Sequence, residues 1–477
     1  MSARSNVPMA APGETTARPP SAASGLAAAP ASALHAGHVL AVTAVVGLPL
    51  SVFAPLSMAS LLVLAAVAVL LLRWRGGSGA VALALPPLAV AAPLAALALW
   101  ALATAPWSLA PRFSAGGAAQ FLGVLLCGAV LFEPARRLDP AQRRIVRIAL
   151  LLGLTLGLLL IAADMWSGNE LTRFLKGGLA WTGARPRESL MSAPDRGATV
   201  LALAVGPAWP TVIGRVETRR FAILRIAAVA ALLAGAAVAI FATISLAAKL
   251  ALVTLTAVSA AARWRPRAVI GALAAVTVLV LLLGPPLARM LPSPQAIWSM
   301  DLPIPTSTHH RLTIWRFVAG HIFQPDGLVG QGFDASRAIP HGGDEISVFR
   351  WGRNGGPEML TEQLLPLHPH NGFLQVWLEL GVPGALAVAA FVVALCAALR
   401  RIATPTTRAA ATGTAAAALL VFGVSYGVWQ SWWLATLVLT ACLLAATADA
   451  GEASRDGRET GIGYAGADVG RNKGGPS

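Results

Sequence analysis

Long apolar runs separated by short polar breaks dominate the chain, at 38–54, 56–72, 80–103, 116–132, 145–163, 197–213, 225–242, 246–262, 268–284, 382–399, 409–426 and 429–448. Each approaches the ~20 residues that a helix needs to cross a hydrocarbon core. A barrel strand would alternate polar with apolar positions. These runs do not, so each is predicted to be a helix that satisfies its own backbone hydrogen bonds. The expected fold is an all-α polytopic membrane protein of about twelve transmembrane helices.

Two breaks are long, 164–196 and 285–372, and segments of that length between packed elements are where function concentrates. In the second, "TSTHHRLTIWRFVAGHIF" places Leu312, Trp315 and Val318 at helical spacing behind Thr306, Ser307 or Thr308 as a cap, which predicts a helix on or near the membrane surface. Gly330 and Gly332 then mark a tight turn before Asp334 and Arg337. The segment is expected to be a large helical loop. It closes on "HPHNGFLQVWLELGVPGA", in which Asn371 caps a short helix and Asn371, Gln375 and Glu379 form one polar stripe. The Gly-Val-Pro-Gly break then opens the next apolar run.

Composition agrees with the pattern: 56% of residues are hydrophobic, 12% are charged and the mean hydropathy is +0.68. The net charge of +15 would suit a nucleic-acid partner only if it formed a patch. Instead the charges fall in the breaks, so no nucleic acid is expected. With the N-terminus inside, about two thirds of the Lys and Arg lie on cytoplasmic segments, as the positive-inside rule requires, and both long loops face the periplasm. The expected organisation is a disordered cytoplasmic tail at 1–37, helices one to nine across 38–284 with the loop 164–196, a catalytic periplasmic loop at 285–372, an interfacial helix and the last three helices at 373–448, and a disordered tail at 449–477. Cys127, Cys396 and Cys442 all sit inside apolar runs. Neither disulfides nor a thiolate metal site is expected.

Six of the eight histidines, His309, His310, His321, His341, His368 and His370, fall in the large loop. A single loop histidine is usually a surface residue. His370 stands apart because it directly precedes the Asn371 cap, which would hold its ring at the membrane interface as a proton acceptor. His368 competes with it for that role. A His-x-His pair could begin a metal site, but the sequence has no Asp-x-Asp or Asp-x-Glu pair for a diphosphate-bridging ion. No metal and no cofactor are expected. Positive charge for an anion would come from arginine: Arg196, where the 164–196 loop re-enters the membrane, and Arg311, in the first turn of the loop helix. Arg337 is a further candidate substrate contact. Lys249 is the one basic residue well inside an apolar run, a substrate-binding candidate by its cost or a snorkelling side chain by its nearness to the end.

About twelve spans, a late outer loop, "RLTIW", the Gly-x-Gly-Phe turn and "HPHNGFLQVWLELGVPGAL" together resemble the O-antigen ligase superfamily, over roughly Asp195 to Leu386. The resemblance implies a GT-C-type inner-membrane glycosyltransferase, metal-independent and inverting. It implies a periplasm-facing site, an undecaprenyl-diphosphate-linked glycan as donor, and lipid A-core or a growing glycan as acceptor. It also implies that His370 is the essential histidine and that Arg196 and Arg311 bind the diphosphate, while Lys249 stands where many members have arginine. O-antigen ligation is the expected activity; polysaccharide polymerisation and protein O-glycosylation share the donor chemistry. A transporter of lipid-linked sugars would keep ionisable groups at mid-membrane, and these spans carry almost none. A non-catalytic scaffold would need neither the arginines nor the histidine in these contexts.

Overall fold

The computed structural model describes residues 35–75, 87–177, 194–213, 219–299, 306–351 and 357–448. Residues 1–34 and 449–477 of the expected tails, the start of the third apolar run and much of the 164–196 loop lie outside the described residues, while Thr306, Ser307 and Thr308, expected as a cap, stand in the first turn of a helix that already includes them.

The first apolar runs fold as α1 (Ala36–Phe53), α2 (Ser57–Arg75), α3 (Leu88–Ala103), α4 (Pro111–Arg136) and α5 (Pro140–Trp166). A short α6 (Glu170–Gly177) precedes α7 (Asp195–Ile213), α8 (Arg219–Ala242), α9 (Leu246–Trp264) and α10 (Pro266–Arg289). The large loop holds α11 (Pro294–Ser299) and α12 (Thr306–Ile322), and the chain ends in α13 (Gly372–Arg401), α14 (Pro405–Val424) and α15 (Ser431–Thr447). An all-α polytopic membrane protein is what the apolar runs called for. The described residues expose many large apolar side chains on α2, α3, α5 and α10, the surface a hydrocarbon solvent requires.

Two expectations are corrected. Among the described residues ten helices, against the about twelve expected, are long and apolar enough to cross a bilayer; Asp195–Ile213 is not among them, and Ser431–Thr447 counts only as a shorter apolar helix. At ~1.5 Å per residue the latter is about 26 Å long, short of the ~30 Å hydrocarbon core. The former opens on Asp195 and Arg196, and nearly every side chain from Ala198 to Ala208 is buried. It packs against α1, α5, α8, α9, α14 and α15. Its apolarity serves helix neighbours on all sides, as in a helix buried in a protein core.

The second correction concerns the large loop, which is not all helical. Strand β1 (Glu345–Trp351) pairs antiparallel with β2 (Pro357–Gln363), with Glu345 opposite Gln363 and Trp351 opposite Pro357. A signal was present in Asn354-Gly355-Gly356, a turn-prone sequence that follows the β-formers Ile346, Val348, Phe349 and Trp351.

Small residues let the helices approach. A Cβ on Gly153 of α5 would stand 2.3 Å from the Ala44 carbonyl oxygen of α1. At one end of the bundle, the buried Arg143 donates to the carbonyls of Ala445 (3.1 Å) and Ala448 (2.8 Å), and Arg147 donates to that of Thr447. These guanidiniums close the otherwise open C-terminus of α15. The 103–111 connection, the start of α7, the large loop and the 425–430 connection meet at the other end.

Candidate active site

The site is assembled around the segment before α13. Asn371 caps that helix as expected: its side chain accepts from the amides of Phe373 (3.0 Å) and Leu374 (3.1 Å). Immediately before it, His370 adopts φ 52°, a left-handed conformation that costs a side-chain-bearing residue energy and persists only where the surroundings enforce it. Two contacts enforce it here. The Trp315 indole of α12 donates to the Pro369 carbonyl at 3.0 Å, and His370 Nδ1 lies 2.8 Å from the Ser425 carbonyl. A carbonyl can only accept, so Nδ1 carries the proton and Nε2 presents its lone pair.

His368 packs edge-on to His370, with ring centroids 4.3 Å apart, and its Nδ1 lies 3.3 Å from the His370 amide. Its Nε2 is 3.3 Å from the Gln430 amide nitrogen. Burial, His370, and then Arg196, Arg337 and Arg311 push the His368 pKa down to about 3. His370 is pushed down to about 4 by burial, with Arg311 and His310 adding to the shift and the Ser425 carbonyl opposing it. Both values lie well below the ordinary imidazole value of about 6.5. Both rings are neutral at physiological pH.

The guanidiniums acting on these rings are the three that the sequence singled out. Arg196, on the first turn of α7, stands with Cζ 5.7 Å from the Trp432 ring. Arg311, on α12, has its pKa lowered by burial. Arg337 lies 4.7 Å from the Phe113 ring and donates from Nη2 to both Asp334 carboxylate oxygens, at 2.9 and 2.7 Å. Arg196, Arg337, Asp334, Gln430 and Trp432 line a cavity of about 320 Å³.

The glycine turn reaches this wall by docking on the α13 kink. Gly381 has φ 59° and ψ −152°, and Gly330 has φ 83°. A Cβ on either would lie within 2.4 Å of the other segment's backbone, so the contact requires glycine on both sides. Indoles of Trp100 and Trp107 donate to the carbonyls of Leu380 and Gly330, tying the joint to α3 and the connection after it.

Lys249 is placed elsewhere. It sits one turn into α9, with Nζ 5.9 Å from the Phe241 ring, and acts electrostatically on Asp195 rather than lining the cavity. Three other loop histidines make local contacts: His310 Nε2 with the Gln363 carbonyl (2.7 Å), His341 Nδ1 with Asp344 (2.9 Å) and His321 Nδ1 with the Phe317 carbonyl (3.2 Å). Among the described residues no three His, Cys, Asp or Glu side chains converge in a way that could hold a metal ion.

No family model matches the chain. Over 154 residues it is 34% identical to a Rickettsia prowazekii protein named "putative polysaccharide ligase", covering 32% of this chain and 35% of that one. A Rickettsia felis protein of the same name is 32% identical over 156 residues, covering 32% and 36%. The matched region thus spans about a third of the length of these curated relatives. This likeness fits the O-antigen ligase superfamily.

Several groups in the candidate site had no sequence signal of their own. The Ser425 carbonyl, Tyr426, Gln430 and Trp432 come from the facing ends of the 409–426 and 429–448 apolar runs. Tyr426 hydrogen-bonds Thr199 of α7 at 2.9 Å, and burial raises its pKa. The polar composition of "SYGVWQS" was the only hint. That it faces His368 and His370 is a tertiary fact.

Proposed function

We propose that the protein is a membrane glycosyltransferase that moves a glycan from undecaprenyl diphosphate to an acceptor hydroxyl, with lipid A-core as the acceptor, as an O-antigen ligase does. The observation that carries this reading is the His370 Nε2 lone pair, with Arg311 acting on its ring and Arg196, Arg337 and Arg311 acting on the His368 ring packed against it. A neutral imidazole can take the acceptor's proton, and fixed guanidiniums can take a departing diphosphate's charge. The acceptor oxygen bonds to the anomeric carbon from the face opposite the diphosphate, the carbon–oxygen bond to the diphosphate breaks, and the acceptor proton passes to Nε2. The anomeric centre inverts in one step, without a covalent enzyme intermediate. Cationic side chains supply the charge a metal would otherwise bring, so transfer persists in excess chelator.

The site faces the periplasm of a bacterial inner membrane in this reading, because the arginine distribution puts the opposite loops in the cytoplasm. The relatives' names favour ligation over polymerisation. Gene deletion followed by glycan analysis tests it. Uncapped lipopolysaccharide with polymer retained on undecaprenyl diphosphate is expected; single repeats would identify a polymerase, and an unchanged glycan profile would remove the assignment.

A further inference from the structure

Glu379 lies on α13 two residues before the Gly381 kink and is fully buried. The sequence pattern placed it on a polar stripe of an interfacial helix, and no catalytic step uses it. Its carboxylate gathers donors from three segments. Oε2 accepts from the Asp334 amide (2.8 Å) and the Trp429 indole (2.5 Å); Oε1 accepts from the Ser336 amide (3.2 Å), the Ser336 hydroxyl and the Gln375 side-chain amide (3.0 Å). The two backbone amides, the Trp429 indole and the Gln375 amide nitrogen can only donate, which favours the carboxylate form against the cost of its burial.

A buried charge is costly unless its partners are held with good geometry, and here the partners belong to the cavity wall. Asp334 sits at φ 54°, with its amide on Glu379 and its carboxylate on Arg337. Ser336, held twice by Glu379, directly precedes Arg337 in the chain. Trp429, held by the same carboxylate, lines the cavity beside Arg337. We infer that Glu379 is a positioning residue: through the Asp334–Ser336 backbone and the Trp429 indole it sets the Arg337 guanidinium on the cavity wall, and so governs the grip on the donor's diphosphate. This rests on the reading of the cavity as the diphosphate site.

The test compares full-length Ser336→Ala, Glu379→Gln, Arg337→Ala and the Ser336→Ala/Arg337→Ala pair in detergent, with an undecaprenyl-diphosphate-linked glycan as donor. Loss of one well-placed charge-assisted contact corresponds to about a tenfold change. Ser336→Ala and Glu379→Gln are expected to raise donor KM by about that factor, with a smaller change in kcat. In the Arg337→Ala background, Ser336→Ala is expected to add nothing further. A merely structural hub would lower the thermal midpoint and leave donor KM unchanged, or its effect would multiply with that of Arg337→Ala; either result overturns the inference. Should Glu379→Gln not fold, the Ser336→Ala pair decides alone. Cryo-electron microscopy of donor-free Ser336→Ala gives a readout independent of the donor's identity: Arg337 displaced from the wall supports positioning, and Arg337 unmoved rejects it. Wild-type protein that fails to bind undecaprenyl diphosphate would remove the donor assignment without touching this structural result.

Discussion

A buried imidazole beside a guanidinium is a weakened proton acceptor. With its pKa pushed down to about 4, His370 is deprotonated throughout the neutral range but has lost basicity. An arriving diphosphate would offset the Arg311 contribution and leave the larger one from burial, coupling donor binding to base strength only in part. The base limb of kcat/KM for the free enzyme is therefore expected near pH 4 and not 6.5, measured by initial rates across pH. The folded chain also keeps these rings neutral where an unfolded chain would protonate them. Stability is thus full above pH about 6.5 and falls as the pH drops toward 4, by up to about 3 kcal/mol for His370 alone. Thermal midpoints against pH should flatten in His370→Ala. That variant is expected to lose turnover while binding undecaprenyl diphosphate almost normally. Arg311→Ala should weaken donor binding as well, by about 1.5 to 3 kcal/mol, with Arg311→Lys recovering only part of it. A fully active His370→Ala enzyme would end the general-base reading.

Among the elements, the joint between the Gly330 turn and the α13 kink has the least tolerance. Gly381→Ala adds a Cβ 2.3 Å from the Leu328 carbonyl oxygen, at φ 59°. Strain of that kind costs about 1–3 kcal/mol. Because the same turn carries Asp334 and Arg337, the substitution is expected to lower both the thermal midpoint and donor affinity. Gly343→Ala, where an added Cβ meets nothing within 4 Å, is the control and should change neither. The joint also shows how far the sequence could be read. Gly-Val-Pro-Gly and Gly-x-Gly were each visible as chain breaks, but their mutual contact was not, since nothing local links residue 330 to residue 381.

At the scale of the molecule, α7 runs through the interior and delivers Arg196 to the same end of the bundle as α12, the glycine turn and the 425–430 connection. In the proposed function this end faces the periplasm, as the arginine distribution predicts. Cysteine at Ser307 or Gly343, both exposed, should react with a membrane-impermeant thiol reagent in cells with a permeabilised outer membrane. Labelling only after inner-membrane lysis would reverse the topology. Cys396 and Cys442 are buried and Cys127 partly so, which keeps background reaction low.

The sequence by itself determined that this is a helical membrane protein and roughly where its apolar helices lie, and it named the histidines and arginines proposed to carry the chemistry. Those features follow from local physics: apolar run length, capping by Asn371 and charge placement need no partner elsewhere in the chain. Only the tertiary structure decided that α7 is a core helix and not a lipid-facing span, that Lys249 answers to Asp195, that Ser425 fixes the His370 tautomer, and that Glu379 is buried under donors from three segments. Each of these depends on groups distant along the chain. Burial and electrostatic environment arise from what packs together in space, which no single stretch of sequence contains.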